Sequence, residues 1–447
     1  MADSFDLILA GGTVVNQDGT GVRDIGIRDG KIAAIGGLSG ASAGEAIDCH
    51  GLHVLPGVID TQVHFREPGF THKEDLETGS RAAVLGGVTG VFEMPNTEPP
   101  TIGASALADK IRRARGRMHC DFAFFVGGTP TNVPDLPELE RLPGCAGVKV
   151  FMGSSTGKLL IPDDESLRAI LRVIRRRASF HSEDEPRLEE RKHLRVAGDP
   201  SSHPVWRDPV VALRATTRLI SLARETGKRV HVLHISTAEE MDVLAQHRDI
   251  ASVEATPQHL TLVAPDCYER LGTRAVMNPP LRDERHRDAI WRALLNGIVD
   301  VLGSDHAPHT LAEKAKPYPA SPSGLTGVQT LVPIMLDHVV AGKLSLERFV
   351  DLTSAGPARI FGIASKGRIA TGFDADFTVV DLKRQETIRN WLIASRCGWT
   401  PYDGMKVTGW PVGTFVRGVR VMWQGEVLAR GTGEPIRFHE AMGSATG

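Results

Sequence analysis

The pattern of apolar and polar positions divides the chain into a long middle and two similar ends. Near the N-terminus, short alternating segments are separated by tight turns, and IRDGKIA contains the Asp-Gly pair typical of a hairpin. Comparable β-type segments return near the C-terminus in GRIATGFDADFTVVDL and GTFVRGVRVMWQGEVLARG. Because neither block alone can bury a core, we predict one small β-sandwich domain formed by residues 1–55 and 363–447.

The middle, residues 56–362, alternates two patterns. Segments in which apolar residues recur at i, i+3, i+4 and i+7 predict amphipathic helices. Between them lie short apolar strand candidates: GVIDTQVH, GVTGVFEMPN, CDFAFFVGG, AGVKVFM, ASFHSE, RVHVLHIS, IASVEATPQ and VDVLGSDH. Eight such units predict an α/β fold in which parallel strands close into a (β/α)₈ TIM barrel. In that architecture the functional side chains lie at the carboxyl ends of the strands.

Composition restricts the partners that we expect. With 41% hydrophobic and 24% charged residues, the 447-residue chain resembles a soluble globular protein. A net charge of -2 gives no electrostatic basis for binding nucleic acid or an anionic membrane, and no apolar run approaches the roughly 18 residues that span a bilayer. The five cysteines are scattered, and the N-terminus has no signal-peptide pattern. We therefore expect a cytoplasmic protein with reduced thiols and a small-molecule substrate.

Metal-ligand residue types recur at the strand ends. A single buried histidine is more often a hydrogen-bonded core residue than a ligand, but several at successive strand ends of one barrel indicate a common site. The sequence therefore predicts a divalent metal site. Its candidate ligands are His64, Lys149, His181, His234 and Asp305.

Lys149 has two interpretations. As an ordinary cation it would pair with a carboxylate or a substrate anion, because lysine is seldom a metal ligand. If its amine has condensed with carbon dioxide, the resulting carbamate (N6-carboxylated lysine) offers two oxygens that could bridge two cations. The residues alone leave both open.

Three kinds of polar residue suggest roles in catalysis and substrate binding. Asp305, in GSDHAPH, could bind a metal with one oxygen and accept a proton from water with the other, which makes it the candidate catalytic base. Arg66 faces the same way as His64, and its planar fork suits a substrate carboxylate. Asn96 and Asn278 could bind a substrate amide or carboxylate, or could instead form Asx turns beside the prolines that precede or follow them.

Together these motifs resemble the strand-end motifs of the amidohydrolase superfamily, and most closely those of its dihydroorotases. The resemblance covers nearly the whole chain, including LILAGGTVV and GRIATGFDADFTVVDL at its ends. Arg66 in HFREPG separates dihydroorotases from the similar allantoinases and hydantoinases. The motifs are DTQVHFREPG, EMPNTEPP, GVKVFMGSSTG, HSEDE, LHIST, NPPLRDE, GSDHAPH and SGLTGVQT.

The resemblance implies a zinc-dependent cyclic amidase that interconverts N-carbamoyl-L-aspartate and L-dihydroorotate in de novo pyrimidine biosynthesis. It implies one or two divalent ions per chain, a buried one on the first-strand histidines and Asp305 and another on His181 and His234, with a strand-four residue as the bridge. It favours a carboxylated Lys149. It also assigns substrate binding to Arg66, Asn96, Asn278 and His309.

One position departs from the family pattern. The first strand of the family carries His-x-His, whereas this chain has Gln62 before His64, and a carboxamide is a weaker zinc donor than imidazole. The buried metal site is therefore expected to be weak or empty. The alternative functions are an allantoinase or hydantoinase, or a catalytically silent subunit that supports aspartate transcarbamoylase. We expect a homo-oligomer, for which a dimer is one candidate.

Overall fold

The computed structural model describes residues 4–154 and 159–442, which form two β-sheets and the helices around them. The end of the GVKVFMGSSTG motif, residues 155–157, lies outside the described residues. The strands are β1 (Ser4–Asn16), β2 (Gly19–Arg28), β3 (Lys31–Gly36), β4 (Ser42–Asp48), β5 (His53–Pro56), β6 (Val58–Val63), β7 (Val88–Glu93), β8 (Asp121–Gly127), β9 (Cys145–Phe151), β10 (Ala178–His181), β11 (Val230–Val232), β12 (Ala251–Ala255), β13 (Val301–Leu302), β14 (Phe377–Thr387), β15 (Lys406–Val416), β16 (Val419–Trp423) and β17 (Glu426–Val427).

Strands β6 to β13 form the barrel. They pair in parallel in the order of the chain. The barrel closes where Val63, at the end of β6, bridges His306, and the His64 amide donates to the His306 carbonyl at 2.7 Å. The predicted eight strands are confirmed, and their fully buried apolar residues fill the space between the barrel and its helices. This closure brings the first strand end beside the last.

Helices cover the outside of the barrel, and local sequence sets their ends. In α7, for example, the Asp208 side chain accepts a hydrogen bond from the Val211 amide at the start, and Gly227 ends the helix with a φ of 67°, which suits glycine. The helices are α1 (Leu76–Leu85), α2 (Ala104–Ala114), α3 (Leu136–Leu139), α4 (Asp164–Val173), α5 (Glu185–Arg191), α6 (His203–Trp206), α7 (Pro209–Thr226), α8 (Ala238–Ala245), α9 (Pro257–Thr261), α10 (Asp266–Leu271), α11 (Glu284–Leu295), α12 (Leu311–Lys314), α13 (Leu331–Val340), α14 (Leu346–Val350), α15 (Gly356–Phe361) and α16 (His439–Met442).

Both chain ends build the second sheet, as the sequence predicts. It has nine strands, and β5 lies at its centre, parallel to β1 on one side and antiparallel to β14 on the other. The chain passes from β5 to the first barrel strand with only Gly57 between them. At the other end, residues 433–442 leave this sheet and pack against the barrel, where Ile436 and Phe438 join a buried cluster with Phe92.

Over residues 4–154 and 159–442, no helix is both long enough and apolar enough to cross a membrane.

Candidate active site

A small cavity of about 20 Å³ lies at the carboxyl ends of the barrel strands. All five predicted metal ligands line it, together with Arg66 and Asn278. Asn96 and His309 do not line the cavity but contact residues that do. This volume is about that of one water molecule. The lining residues are Gln62, His64, Arg66, Lys149, Phe151, His181, His234, Asn278, Asp305, Ala307, Ser323 and Gly324.

Two histidines on neighbouring strands turn ring nitrogens toward each other. His181 Nδ1 and His234 Nε2 are 3.1 Å apart. His181 Nε2 lies 2.9 Å from the Glu183 carboxylate and donates to it, which leaves a lone pair on Nδ1. Burial lowers the pKa of both imidazoles, so both are neutral at neutral pH. Two buried neutral nitrogens that converge in this way suit a divalent cation.

Lys149 reaches the same cavity from β9. Its ammonium lies 4.6 Å from the centre of the Phe151 ring. Among the described residues, no carboxylate lies within 4.0 Å of Nζ, so the geometry does not support the ion-pair interpretation. Burial lowers the pKa of this amine to about 7. A substantial neutral fraction therefore exists at neutral pH, and the neutral amine is the form that condenses with carbon dioxide.

On the opposite side, His64 and Gln62 meet Asp305. His64 Nδ1 lies 2.8 Å from Asn96 Oδ1 and donates to it, so Nε2 keeps its lone pair, 3.4 Å from Asp305 Oδ1. The Gln62 amide nitrogen donates to the same carboxylate oxygen at 3.0 Å, while Gln62 Oε1 is buried and has no hydrogen-bond partner among the described residues. Asn96 therefore orients His64, a candidate metal ligand. Gln62 fixes the carboxylate of Asp305, the candidate base.

The donor set fits a metal ion only in part. Within residues 4–154 and 159–442, no group of three or more His, Cys, Asp or Glu side chains is arranged to hold one. The donors form two pairs instead, His181 with His234 and His64 with Asp305. A carboxylated Lys149 would give the first pair its third ligand, whereas Gln62 offers the second pair only a weak amide donor. The pair of His181 and His234 would thus fit a metal ion tightly only with a carboxylated Lys149, and the pair of His64 and Asp305 would fit one weakly.

Arg66 and Asn278 form another part of the cavity wall. Arg66 Nε donates to the Pro308 carbonyl at 3.2 Å, and burial lowers the pKa of the guanidinium to about 10, which leaves it charged at neutral pH. His203 Nε2 lies 3.0 Å from Asn278 Oδ1 and donates to it, so the amide group of Asn278 is fixed. A buried guanidinium in a cavity is a natural site for an anionic group.

Sequence reasoning missed two residues that position this site. Glu183 pairs with His181 and also with Arg207, and its place in the HSEDE motif was a usable signal. His203 begins the short helix α6, between α5 and α7, 75 positions from its partner Asn278, so no local pattern indicates the contact.

Comparison with known proteins identifies the class. The model of the amidohydrolase family matches residues 53–421, and the chain belongs to this family. It is 39% identical to the dihydroorotase of Halobacterium salinarum, over 93% of this chain and 97% of that protein. The allantoinase of Deinococcus radiodurans is 32% identical, over 97% and 99%. The solved L-hydantoinase of Arthrobacter aurescens superposes with a TM-score of 0.93 at 32% identity, over 97% and 99%.

Proposed function

We propose that this chain is a metal-dependent dihydroorotase, which interconverts N-carbamoyl-L-aspartate and L-dihydroorotate. The observation that carries the proposal is the buried Arg66 guanidinium beside the histidines of the cavity. Dihydroorotate has a carboxylate on its ring, whereas hydantoin and allantoin have none. The buried guanidinium of Arg66 would pair with the carboxylate of dihydroorotate, and it therefore favours dihydroorotate over the uncharged rings.

We propose zinc as the metal, held by His181, His234 and a carboxylated Lys149, with His64 and Asp305 as ligands of a weaker second ion. When bound, such an ion would lower the pKa of a water molecule to about 7 and polarise the amide carbonyl. Glu183 and Asn96 would keep the histidine rings in the tautomers that leave a lone pair toward the cavity.

The remaining residues bind the substrate and move the proton. Arg66 and His309 would hold the substrate carboxylate, and Asn278 would hold the amide groups of the ring. Asp305, with one oxygen fixed by Gln62, would accept the proton of the attacking water and return it to the departing ring nitrogen. The closed lining would exclude other water during the step.

The close structural likeness to an L-hydantoinase supports one alternative, a cyclic amidase that acts on uncharged rings. The silent-subunit alternative rests only on Gln62. We propose that the protein is cytoplasmic and that it forms a homo-oligomer. The five cysteines, all buried and without disulfides, support the cytoplasmic location.

The test is an assay with three substrates. Protein purified with zinc and bicarbonate should hydrolyse dihydroorotate far faster than hydantoin or allantoin. Activity should disappear on chelation and return with zinc. A preference for hydantoin would support the alternative cyclic amidase, and inactivity toward all three rings in fully metallated protein would support the silent subunit.

A further inference from the structure

Lys73 lies behind the wall of the cavity and makes two polar contacts. Its side chain, only 14% exposed, places Nζ 3.1 Å from His309 Nδ1 and 3.1 Å from Glu313 Oε1. Glu313 belongs to α12, on the segment that also contributes Ser323 and Gly324 to the cavity lining, and it accepts from the Thr310 amide at 3.0 Å. Lys73 therefore connects the segment after the first barrel strand with the segment after the last.

The contact with Lys73 decides which nitrogen of His309 carries hydrogen. An ammonium has three hydrogens and no lone pair, so the nitrogen that it meets must be an acceptor. Nδ1 is then unprotonated and Nε2 carries the hydrogen. The contact of Nε2 supports the same tautomer, because Nε2 lies 3.0 Å from the Ser323 carbonyl, which can only accept a hydrogen bond. Burial, with the nearby charges of Arg66 and Lys73, keeps the pKa of His309 well below its usual range, so the ring is neutral.

In this tautomer two N–H groups lie close together, one on Arg66 in the cavity lining and one on His309 directly behind it. Arg66 Nη2 lies 3.3 Å from His309 Nε2. Since both nitrogens carry hydrogen, they do not bond to each other. The His309 N–H donates to the Ser323 carbonyl, and an anionic oxygen that faces both nitrogens could share this hydrogen while it accepts from Arg66. A guanidinium and an imidazole N–H that converge in this way suit a carboxylate.

The opposite tautomer would suit Glu313 and Arg66, although it would turn a lone pair toward the Ser323 carbonyl. With hydrogen on Nδ1, the ring could turn it toward Glu313 Oε2, which lies 4.0 Å away, and Nε2 would accept from Arg66. That arrangement would occupy the Arg66 donor and point a lone pair at the incoming carboxylate. The two tautomers therefore differ in whether the site attracts or repels the anion.

We propose that Lys73 is a positioning residue that fixes the Nε2–H tautomer of His309 and so makes Arg66 and His309 a two-donor site for the substrate carboxylate. The identity of that carboxylate rests on the proposed function, whereas the tautomer does not. Lys73 itself does not line the cavity.

The direct test is the tautomer of His309, measured by long-range proton–nitrogen correlation in the ¹⁵N-histidine-labelled full-length protein, with His309→Gln to assign the signals. The wild type and Lys73→Arg should show hydrogen on Nε2. Lys73→Met should shift the population toward Nδ1. Glu313→Gln, which keeps the Lys73–His309 contact, is the matched control and should resemble the wild type. Hydrogen on Nδ1 in the wild type would overturn the proposal, even if Lys73→Met proved too unstable to study.

Binding gives the second readout. Lys73→Met should weaken orotate, which has a carboxylate, about 10- to 100-fold, and uracil, which has none, less than about threefold. KM for dihydroorotate should rise by a similar factor while kcat changes little, and Lys73→Arg should restore both. Equal losses for orotate and uracil would show that Lys73 acts only on the local fold. If the wild type bound orotate in this way but did not turn over dihydroorotate, the proposed function would fail and the role of Lys73 would stand.

Discussion

At the scale of residues, three side chains of the site share an unusual backbone. Arg66, His234 and Asp305 have φ values of 63°, 36° and 43°, in the left-handed region that residues other than glycine rarely adopt. Each such residue costs on the order of 1–3 kcal/mol and persists only where the surrounding structure enforces it. All three follow barrel strands and line the cavity. The strained turns point these side chains into one small volume.

Arg66 provides the first prediction. Arg66→Gln removes the charge that would pair with the substrate carboxylate, and a buried carboxylate without its partner typically costs about 2–5 kcal/mol. We expect kcat/KM for dihydroorotate to fall by at least about 30-fold. The residual hydrolysis of neutral rings such as hydantoin should change far less. Steady-state kinetics on both substrates check this, and equal losses on both would mean that Arg66 is structural.

Gln62 provides the second prediction. Its amide donates to Asp305 and adds only a weak donor for a cation, so the wild type should bind one zinc ion tightly. Gln62→His replaces the amide with imidazole and should raise tightly bound zinc toward two ions per chain. Elemental analysis after dialysis measures the ratio. Gln258→His is the matched control, because that buried amide donates to the Ser304 carbonyl outside the cavity and its replacement should add no ion. Identical zinc content in the wild type and Gln62→His would contradict the prediction.

The sequence predicts the residues on the cavity better than those behind it. Strand periodicity and position are enough to select His181, His234 and Asp305, because a strand end aims its side chains at the barrel mouth. Lys73 and His203 lie on connecting segments, and their effect depends on partners more than 70 positions away. No local pattern encodes such a contact. The function of a loop residue therefore becomes visible only in the folded chain.

At the scale of elements, the predicted strands and long helices correspond to observed ones, since apolar periodicity follows directly from burial. The segment from residue 310 to 327 shows no apolar repeat, yet it contains the short helix α12. Thr310 and Glu313 form a capping box there, which stabilises a helix too short to show an apolar repeat. This local hydrogen bonding explains why periodicity missed the helix.

Lys314, in α12, provides a prediction for pH. It is buried, and its ammonium donates to the Val276 and Pro322 carbonyls at 3.0 and 2.8 Å. Burial lowers its pKa from 10.5 to about 7. Between these values the native state has lost the proton that the unfolded chain retains, so this residue makes the free energy of unfolding rise with pH, by at most about 1.4 kcal/mol per pH unit.

We therefore expect the melting temperature of the wild type to increase relative to that of Lys314→Met as the pH rises from 7 to about 9.5. Below pH 7 the difference should stay constant, since both states are then protonated. Lys316→Met removes an exposed lysine of the same segment. Its melting temperature should change with pH in the same way as that of the wild type. Scanning calorimetry of the three proteins decides, and a constant difference between the wild type and Lys314→Met above pH 7 would refute the account.

At the scale of the whole molecule, Lys366 joins the barrel to the sheet of the chain ends. Its ammonium lies 2.7 Å from Asp121, 3.2 Å from Asp374 and 2.5 Å from Asp376. Asp121 begins β8, so this cluster sits at the end of the barrel opposite the candidate active site. It lines a groove of about 790 Å³, far larger than the catalytic cavity, but its charges are paired with one another. We interpret it as a structural junction.

Replacing Lys366 should therefore affect stability and leave metal binding unchanged. Lys366→Met leaves buried carboxylates without their shared cation, a change that typically costs about 3–5 kcal/mol. We expect a clear loss of thermal stability at an unchanged zinc content. Lys383→Met, at an exposed lysine of β14, should stay within about 0.5 kcal/mol of the wild type. A variant as stable as the wild type would show that the junction does not depend on this charge.

Because β5 lies at the centre of its sheet, it can complete its pairing only after β14 has been synthesised. Val54 pairs with Val379, which leaves the ribosome about 325 residues later. At about 5–20 residues per second, β5 waits roughly 16–65 s with one edge unpaired. An open strand edge is a template for pairing with other chains, so nascent copies on one messenger are exposed to each other during that interval. The yield of soluble enzyme should then depend on translation speed and on chaperones at the ribosome, before any metal or substrate is bound.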